Sequence, residues 1–137
     1  MRYELEDSTA EELSRTLPTA YVRWRATLRE ALGSAQELDA RVLVVVDDSL
    51  RVQGFVNVHD LFSAAASRGL DVTLADSGVP VRPVPTIGRG ESAARALEAF
   101  RSSDAQVVAV VDDDGRLVGT ILEREILRYL FRGGRPD

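Results

Sequence analysis

The sequence predicts a mixed α/β (α+β) fold made of two similar tandem units, on three observations. First, Pro18–Phe62 slides onto Pro83–Leu127 at an offset of 65 positions without a gap. The slide matches Ala31 with Ala96, Leu32 with Leu97, Asp39-Ala40 with Asp104-Ala105, Val45–Asp48 with Val110–Asp113, Arg51 with Arg116 and Gly54 with Gly119. Second, each half holds a short β-branched run, Arg41–Val46 or Val107–Val111, which suits a buried strand. Third, each run ends in an Asp-rich turn and leads to apolar residues at helical spacing. A duplication this regular in a short chain implies two supersecondary units related by a pseudo-twofold axis, with function expected where they meet.

The elements follow in order. Ser8 or Thr9 can cap a short acidic helix over Ala10–Arg15 that ends near Pro18, expected as an N-terminal adapter over residues 1–17. The first unit, 18–69, opens on an extended piece, Ala20–Val22. Thr27-Leu-Arg-Glu30 then reads as a capping box starting a helix to about Leu38, with Leu28, Ala31, Leu32, Ala35 and Leu38 on one face. Arg41–Val46, the Asp47-Asp48-Ser49 turn and Val52–Val58 form a hairpin, and a second helix runs from His59 to near Gly69. A linker over 70–82, within the Gly- and Pro-rich stretch Gly69–Pro85, is expected to cross the surface. In the second unit, 83–132, Ser92 caps a helix with Ala93, Ala96, Leu97 and Phe100 on one face. Strands Val107–Val111 and Leu117–Leu122 flank the Asp112–Gly115 turn. A closing helix over Glu123–Phe131 carries Ile126, Leu127, Leu130 and Phe131 as its apolar stripe, and 133–137 is a tail.

Composition narrows the function classes. At 137 residues and 45% hydrophobic, the chain can build a core without staples, and with no cysteine it has neither disulfides nor thiolate metal sites. Its longest apolar run, Val42–Val46, is far short of the roughly 20 residues that cross a bilayer, so no direct membrane insertion is expected. A net charge of −5 argues against general nucleic-acid binding.

Two segments carry a family resemblance: Val42-Leu-Val-Val-Val-Asp-Asp-Ser-Leu-Arg-Val-Gln-Gly-Phe-Val-Asn-Val-His-Asp60 and Val107-Val-Ala-Val-Val-Asp-Asp-Asp-Gly-Arg-Leu-Val-Gly-Thr-Ile-Leu-Glu-Arg-Glu125. Each resembles a CBS motif, and the pair resembles a Bateman module, covering nearly the whole chain after Pro18. The resemblance implies two β-α-β-β-α repeats with face-to-face sheets and two clefts. Those clefts typically take adenosine ligands such as AMP, ADP, ATP or S-adenosylmethionine.

The family's ligand signature is a glycine, a hydroxyl residue three positions on, and an aspartate three further. The glycine lets the strand run close to the ligand, the hydroxyl and the following helix N-terminus donate to phosphate, and the aspartate accepts from the ribose hydroxyls. In the first repeat these slots hold Gly54, Asn57 and Asp60, with His59 alongside; the Asn57 amide can still donate. In the second they hold Gly119, Leu122 and Glu125, and Leu122 has nothing to donate while Glu123 adds negative charge. The resemblance places the base against Ala20-Tyr21-Val22 and Pro85-Thr86-Ile87. One competent site is expected, of Ala20, Tyr21, Val22, Gly54, Phe55, Asn57, His59 and Asp60, with a weaker second of Thr86, Ile87, Gly119 and Glu125. Tyr21, Trp24 and Phe55 either offer aromatic surface to the first cleft or serve as ordinary packing, and Trp24, between Arg23 and Arg25, is expected to be partly exposed.

Other patterns read as structure. Gly88-Arg89-Gly90 lacks the lysine and spacing of a phosphate-binding P-loop and reads as a flexible turn whose arginine helps hold an anion. Asp112-Asp113-Asp114-Gly115 lacks the spread ligands of a calcium loop, and His59 has no second histidine to complete a metal site. No metal and no catalytic residue is expected, so the chain is not read as an enzyme. The expected function is a cytoplasmic regulatory module that needs no cofactor, senses an adenine nucleotide and controls a fused or partner transporter, channel or enzyme. The alternative is a ligand-free dimerisation module. A homodimer through the repeat helices is expected in either case, with Tyr129 and Phe131 packing on a second copy.

Overall fold

The computed structural model describes residues 7–128. The described chain forms two compact units, one from residues 20–84 and one from the N-terminal segment through Thr19 together with the chain from Pro85 onward. Each contains one three-stranded mixed sheet and its helices, so the α/β class and the β-α-β-β-α order hold.

In the 20–84 unit, β1 (Tyr21–Arg23) lies parallel to β2 (Val42–Val46), which pairs antiparallel with β3 (Val52–Asn57). Central β2 is buried at every position, as its unbroken valine-rich run requires. Helix α2 (Leu28–Leu38) starts at the Thr27–Glu30 capping box: the Glu30 N–H donates to Thr27 Oγ1 at 3.1 Å, and the Thr27 N–H donates to Glu30 Oε1 at 2.9 Å. It buries Leu28, Ala31 and Ala35, leaves Leu32 and Leu38 half-buried, and stops at Asp39 in the left-handed region. Helix α3 (Val58–Arg68) follows β3 directly and ends at Gly69.

The stretch after Gly69 is a mostly exposed strap tied into this unit. Its Val72 and Leu70 carbonyls accept from the Leu28 and Arg29 N–H groups, which the first turn of α2 cannot satisfy itself. Leu74, Ser77 and Val79 are buried, with Ser77 Oγ donating to the Leu74 carbonyl at 2.7 Å.

The other unit repeats the sheet: β4 (Thr86–Gly88) parallel to β5 (Val107–Val111), and β5 antiparallel to β6 (Leu117–Leu122). Both hairpins shift register at the same repeat position, between Val45 and Val46 and between Val110 and Val111, leaving Gly54 and Gly119 beside the irregularity. Helices α1 (Ala10–Arg15), α4 (Ala94–Ser102) and α5 (Glu123–Arg128) complete the unit. Of the two caps proposed for α1, Thr9 fills the role, exchanging capping-box hydrogen bonds with Glu12. The core joins Ala10 and Leu13 of α1 with Ile87, Ala93, Ala96, Phe100, Val108, Val110, Ile121 and Ile126.

Some helix faces differ from the sequence expectation. Leu97, assigned to the apolar face of α4, is 38% exposed, and Leu127 of α5 is 48% exposed. Each helix is covered along a narrower line, through Ala96 and Phe100 or through Ile126, than its apolar stripe offers. Tyr129, Leu130 and Phe131 lie outside the described residues. No described helix is long and apolar enough to cross a membrane.

Candidate functional site

The first expected site forms where β3 turns into α3. Gly54 lies buried on β3 with φ 151°, a backbone angle that side chains disfavour, and a β-carbon there would run into the carbonyl oxygen of Arg82. The close neighbour that demands glycine is thus the protein's own strap. Phe55 and Arg82 form a two-way bridge, each N–H donating to the other's carbonyl at 2.8 Å. The local sequence prepares this: in Pro80-Val81-Arg82-Pro83-Val84-Pro85, every residue before a proline is biased to extended backbone, which is what an added strand edge needs.

Asn57 is the N-cap position of α3, but its side chain makes no capping hydrogen bond, so its amide is not committed to the helix end. His59 is exposed on the first turn. Asp60, one residue on, is partly buried; its Oδ2 is inaccessible to solvent and accepts no hydrogen bond, although the Arg82 guanidinium stands 3.6 Å away. That separation gives an ion pair without a hydrogen bond. Gly54, Asn57 and Asp60 therefore lie along one strand–helix junction, and Arg82 joins them from the strap.

The β1 residues lie farther off. Register aligns Tyr21 with Val44 and Phe55, and Val22 with Val45 and Gly54, so β1 is two strand spacings, about 10 Å, from β3. Ala20 and Val22 are buried and Tyr21 is exposed. Phe55 is buried, so of the three aromatics it is packing, while Tyr21 and Trp24 present surface at 37% and 42% exposure.

The second expected site is differently furnished. A β-carbon on Gly119 would lie 2.5 Å from Ser14 Oγ and 2.8 Å from Ser14 Cβ, so α1 fills the space beside this glycine. Thr86 is exposed and Ile87 belongs to the core. Leu122 is buried, and Glu125 is engaged by Arg128 at 3.3 Å and Arg124 at 3.9 Å. What held the strap's place in the first unit is here a helix, seated by backbone bonds from Ala10 N–H to the Glu91 carbonyl (2.7 Å) and from Glu11 N–H to the Arg89 carbonyl (3.1 Å).

Arg89, read from sequence as a residue that helps hold an anion, holds Glu11. Its Nη2 and Nε donate to the two Glu11 carboxylate oxygens at 2.5 and 3.1 Å, which keeps that carboxyl below its ordinary value. In the Asp-rich turn, Asp112 Oδ1 accepts from the Arg116 and Asp114 N–H groups, both at 2.9 Å, and these bonds hold its carboxyl low as well. Asp47 Oδ1 accepts from the Ser49 and Arg51 N–H groups in the matching turn, at 2.8 and 2.9 Å. Arg82 is the residue at this junction that sequence reasoning passed over. Its one signal was a lone cation between prolines.

Comparison with known proteins agrees with this architecture. Residues 76–132 match the CBS domain family model. An uncharacterized protein of Methanocaldococcus jannaschii is 25% identical over 129 residues, covering 93% of this chain and 31% of that protein. The osmoprotectant import ATP-binding protein OsmV of Salmonella typhimurium is 29% identical over 117 residues, covering 85% and 28%. The chain therefore spans about a third or less of the length of these two relatives. The CBS domain of a bacterial CNNM/CorC family Mg2+ transporter superimposes with a TM-score of 0.72 at 22% identity, covering 98% of this chain and 81% of that one. The same transporter domain in complex with ATP gives 0.69 at 21%, covering 93% and 90%. A CBS domain pair/ACT domain protein of Thermotoga maritima gives 0.71 at 22%, covering 93% and 100%. The chain has the fold of a CBS domain pair, and its residues 76–132 match the CBS domain family.

Proposed function

We propose that this CBS pair is a regulatory module that senses an adenine nucleotide through the 20–84 unit, by way of Gly54, Asn57, His59 and Asp60 with the β1 residues Ala20–Val22. The observation that carries the reading is Asp60. A partly buried carboxylate oxygen that accepts no hydrogen bond has capacity that a pair of ribose hydroxyls would fill. The uncommitted Asn57 amide beside it supplies a donor for a phosphate. The ATP complex of the transporter CBS domain, a protein of the same fold, supports the ligand class.

The 85–128 side of the chain contributes a closed counterpart, with Ser14 against Gly119 and Glu125 held by arginines. We read Thr86, Ile87, Gly119 and Glu125 as the weaker site. Ligand binding regulates only if it favours one conformation over another, and the output goes to a fused or partner transporter, channel or enzyme on the cytoplasmic side. The relatives that name a transport system support that choice. The second reading, a ligand-free module that pairs with another copy through its helices, is favoured by Phe62 of α3, which is 60% exposed.

The test is isothermal titration calorimetry of nucleotide-free protein against AMP, ADP, ATP and S-adenosylmethionine. Saturation near one ligand per chain is expected. Asp60→Ala should weaken binding by about 1.5–3 kcal/mol, the range for hydrogen bonds to a charged group, and Glu125→Ala by much less. Silence from a folded protein toward all four ligands transfers the assignment to the dimerisation reading, and equal effects of the two substitutions remove the asymmetry.

A further inference from the structure

We propose that Arg82 is the phosphate-reading and ligand-responsive residue of the 20–84 unit, exchanging its ion pair with Asp60 for a ligand phosphate. This rests on the nucleotide reading above and narrows it to phosphorylated ligands, at the expense of adenosine and S-adenosylmethionine.

Arg82 is anchored by its main chain and spare in its side chain. The two-way bridge to Phe55 fixes its backbone on the edge of β3, next to Gly54. Its guanidinium is half exposed, and its contact with Asp60 at 3.6 Å is too long for a hydrogen bond. A half-exposed pair of this kind holds its partners weakly, so giving it up for a better anion costs little. A guanidinium also matches phosphate oxygens in bidentate geometry and stays charged at any physiological pH.

The exchange suits both partners. Arg82 offsets the charge of a carboxylate whose buried oxygen lacks a hydrogen bond. When ribose hydroxyls donate to Asp60, that requirement is met by the ligand, and the cation is released toward the phosphate. In a chain of net charge −5, a local cation at this spot is what lets a polyanionic ligand approach. A sulfonium ligand would meet the same cation with repulsion.

The experiment is calorimetric titration of the full chain and of its Arg82→Ala and Arg82→Gln variants with adenosine, AMP, ATP and S-adenosylmethionine. Both substitutions leave the backbone bridge available, and Arg82→Gln also keeps a polar, unbranched stem without the charge. The readout is the ratio of AMP to adenosine affinity, which a general loss of folded protein leaves unchanged. Each substitution should lower that ratio about 10- to 100-fold. Adenosine affinity should hold or rise, and the preference for AMP over S-adenosylmethionine should shrink. In the unmodified chain, raising salt should weaken AMP more than adenosine, a measurement independent of whether a variant folds. An unchanged ratio in a variant that binds, or equal salt sensitivity of the two ligands, overturns the role of Arg82 and leaves the nucleotide reading standing. A wild-type chain silent toward every ligand overturns both; where ATP binds and AMP does not, the ratio of ATP to adenosine affinity is read in its place.

Discussion

Gly119→Ala tests whether this glycine, which occupies a ligand-signature position, serves instead as the seat of α1. The added methyl would lie 2.8 Å from Ser14 Cβ and 2.5 Å from Ser14 Oγ. Carbon–carbon contact is comfortable from about 3.5 Å, so roughly 0.7 Å of separation must be created. Ser14 cannot rotate away, because its Cβ is fixed to the helix backbone. Nor can α1 drift freely, since Ala10 and Leu13 are in the core and the Arg89 and Glu91 carbonyls hold its first turn. Overpacking of this kind costs about 1–3 kcal/mol, and the loss of unfolded-state freedom on replacing glycine returns about 0.4–1 kcal/mol. A net destabilisation of about 1–2 kcal/mol is expected. Ser14→Gly alone should cost about 0.5 kcal/mol in helix propensity. Since it removes both atoms that the new methyl meets, the double variant should be more stable than the sum of the singles by at least about 1 kcal/mol. Urea unfolding of the four proteins, followed by circular dichroism with a common m value, measures this coupling. Additive effects, or a neutral Gly119→Ala, would refute the seat.

Two further outcomes follow from local geometry and charge. Leu50 has φ 68° at the repeat position where Gly115 has φ 80°, so Leu50→Gly should relieve left-handed strain and raise stability by about 0.5 kcal/mol after the entropy of glycine is subtracted, read as a small rise in Tm. Glu11, held below its ordinary 4.5 by the Arg89 hydrogen bonds, binds its proton less readily in the folded than in the unfolded chain. Its contribution to stability is therefore present above pH 4.5 and lost as pH falls through the lower folded value. Glu11→Gln should remove that part of the acid dependence, so the stability gap between wild type and variant should close on acidification. A gap that is constant with pH would refute it.

Much of the fold could be read from local chemistry. The Thr27–Glu30 box set the start of α2 because a hydroxyl and a carboxylate three residues apart satisfy each other's backbone groups wherever they occur. The valine runs became central strands because β-branched residues without alternation suit burial on both faces. The Asp47 and Asp112 turns were fixed by carboxylates bonding to N–H groups two and four residues on.

Tertiary structure decided what each of these pieces meets. Gly54 and Gly119 are the same letter at the same repeat position, yet one admits the backbone of Arg82 and the other admits Ser14 of a helix. Arg82 is 22 residues from Asp60 and Arg89 is 78 from Glu11, so neither pairing leaves a local signature in spacing. Leu97 and Leu127 show the same limit, since periodicity gives the apolar stripe of a helix but not how much of it a neighbour will cover. By itself the sequence determined the repeat, its strands, helices and turns, and the Gly54, Asn57 and Asp60 positions, because these depend on interactions among near neighbours or on the duplication. Only the folded chain decided which glycine is closed by a helix and which aspartate is left beside an arginine, because those depend on contacts between segments far apart in sequence.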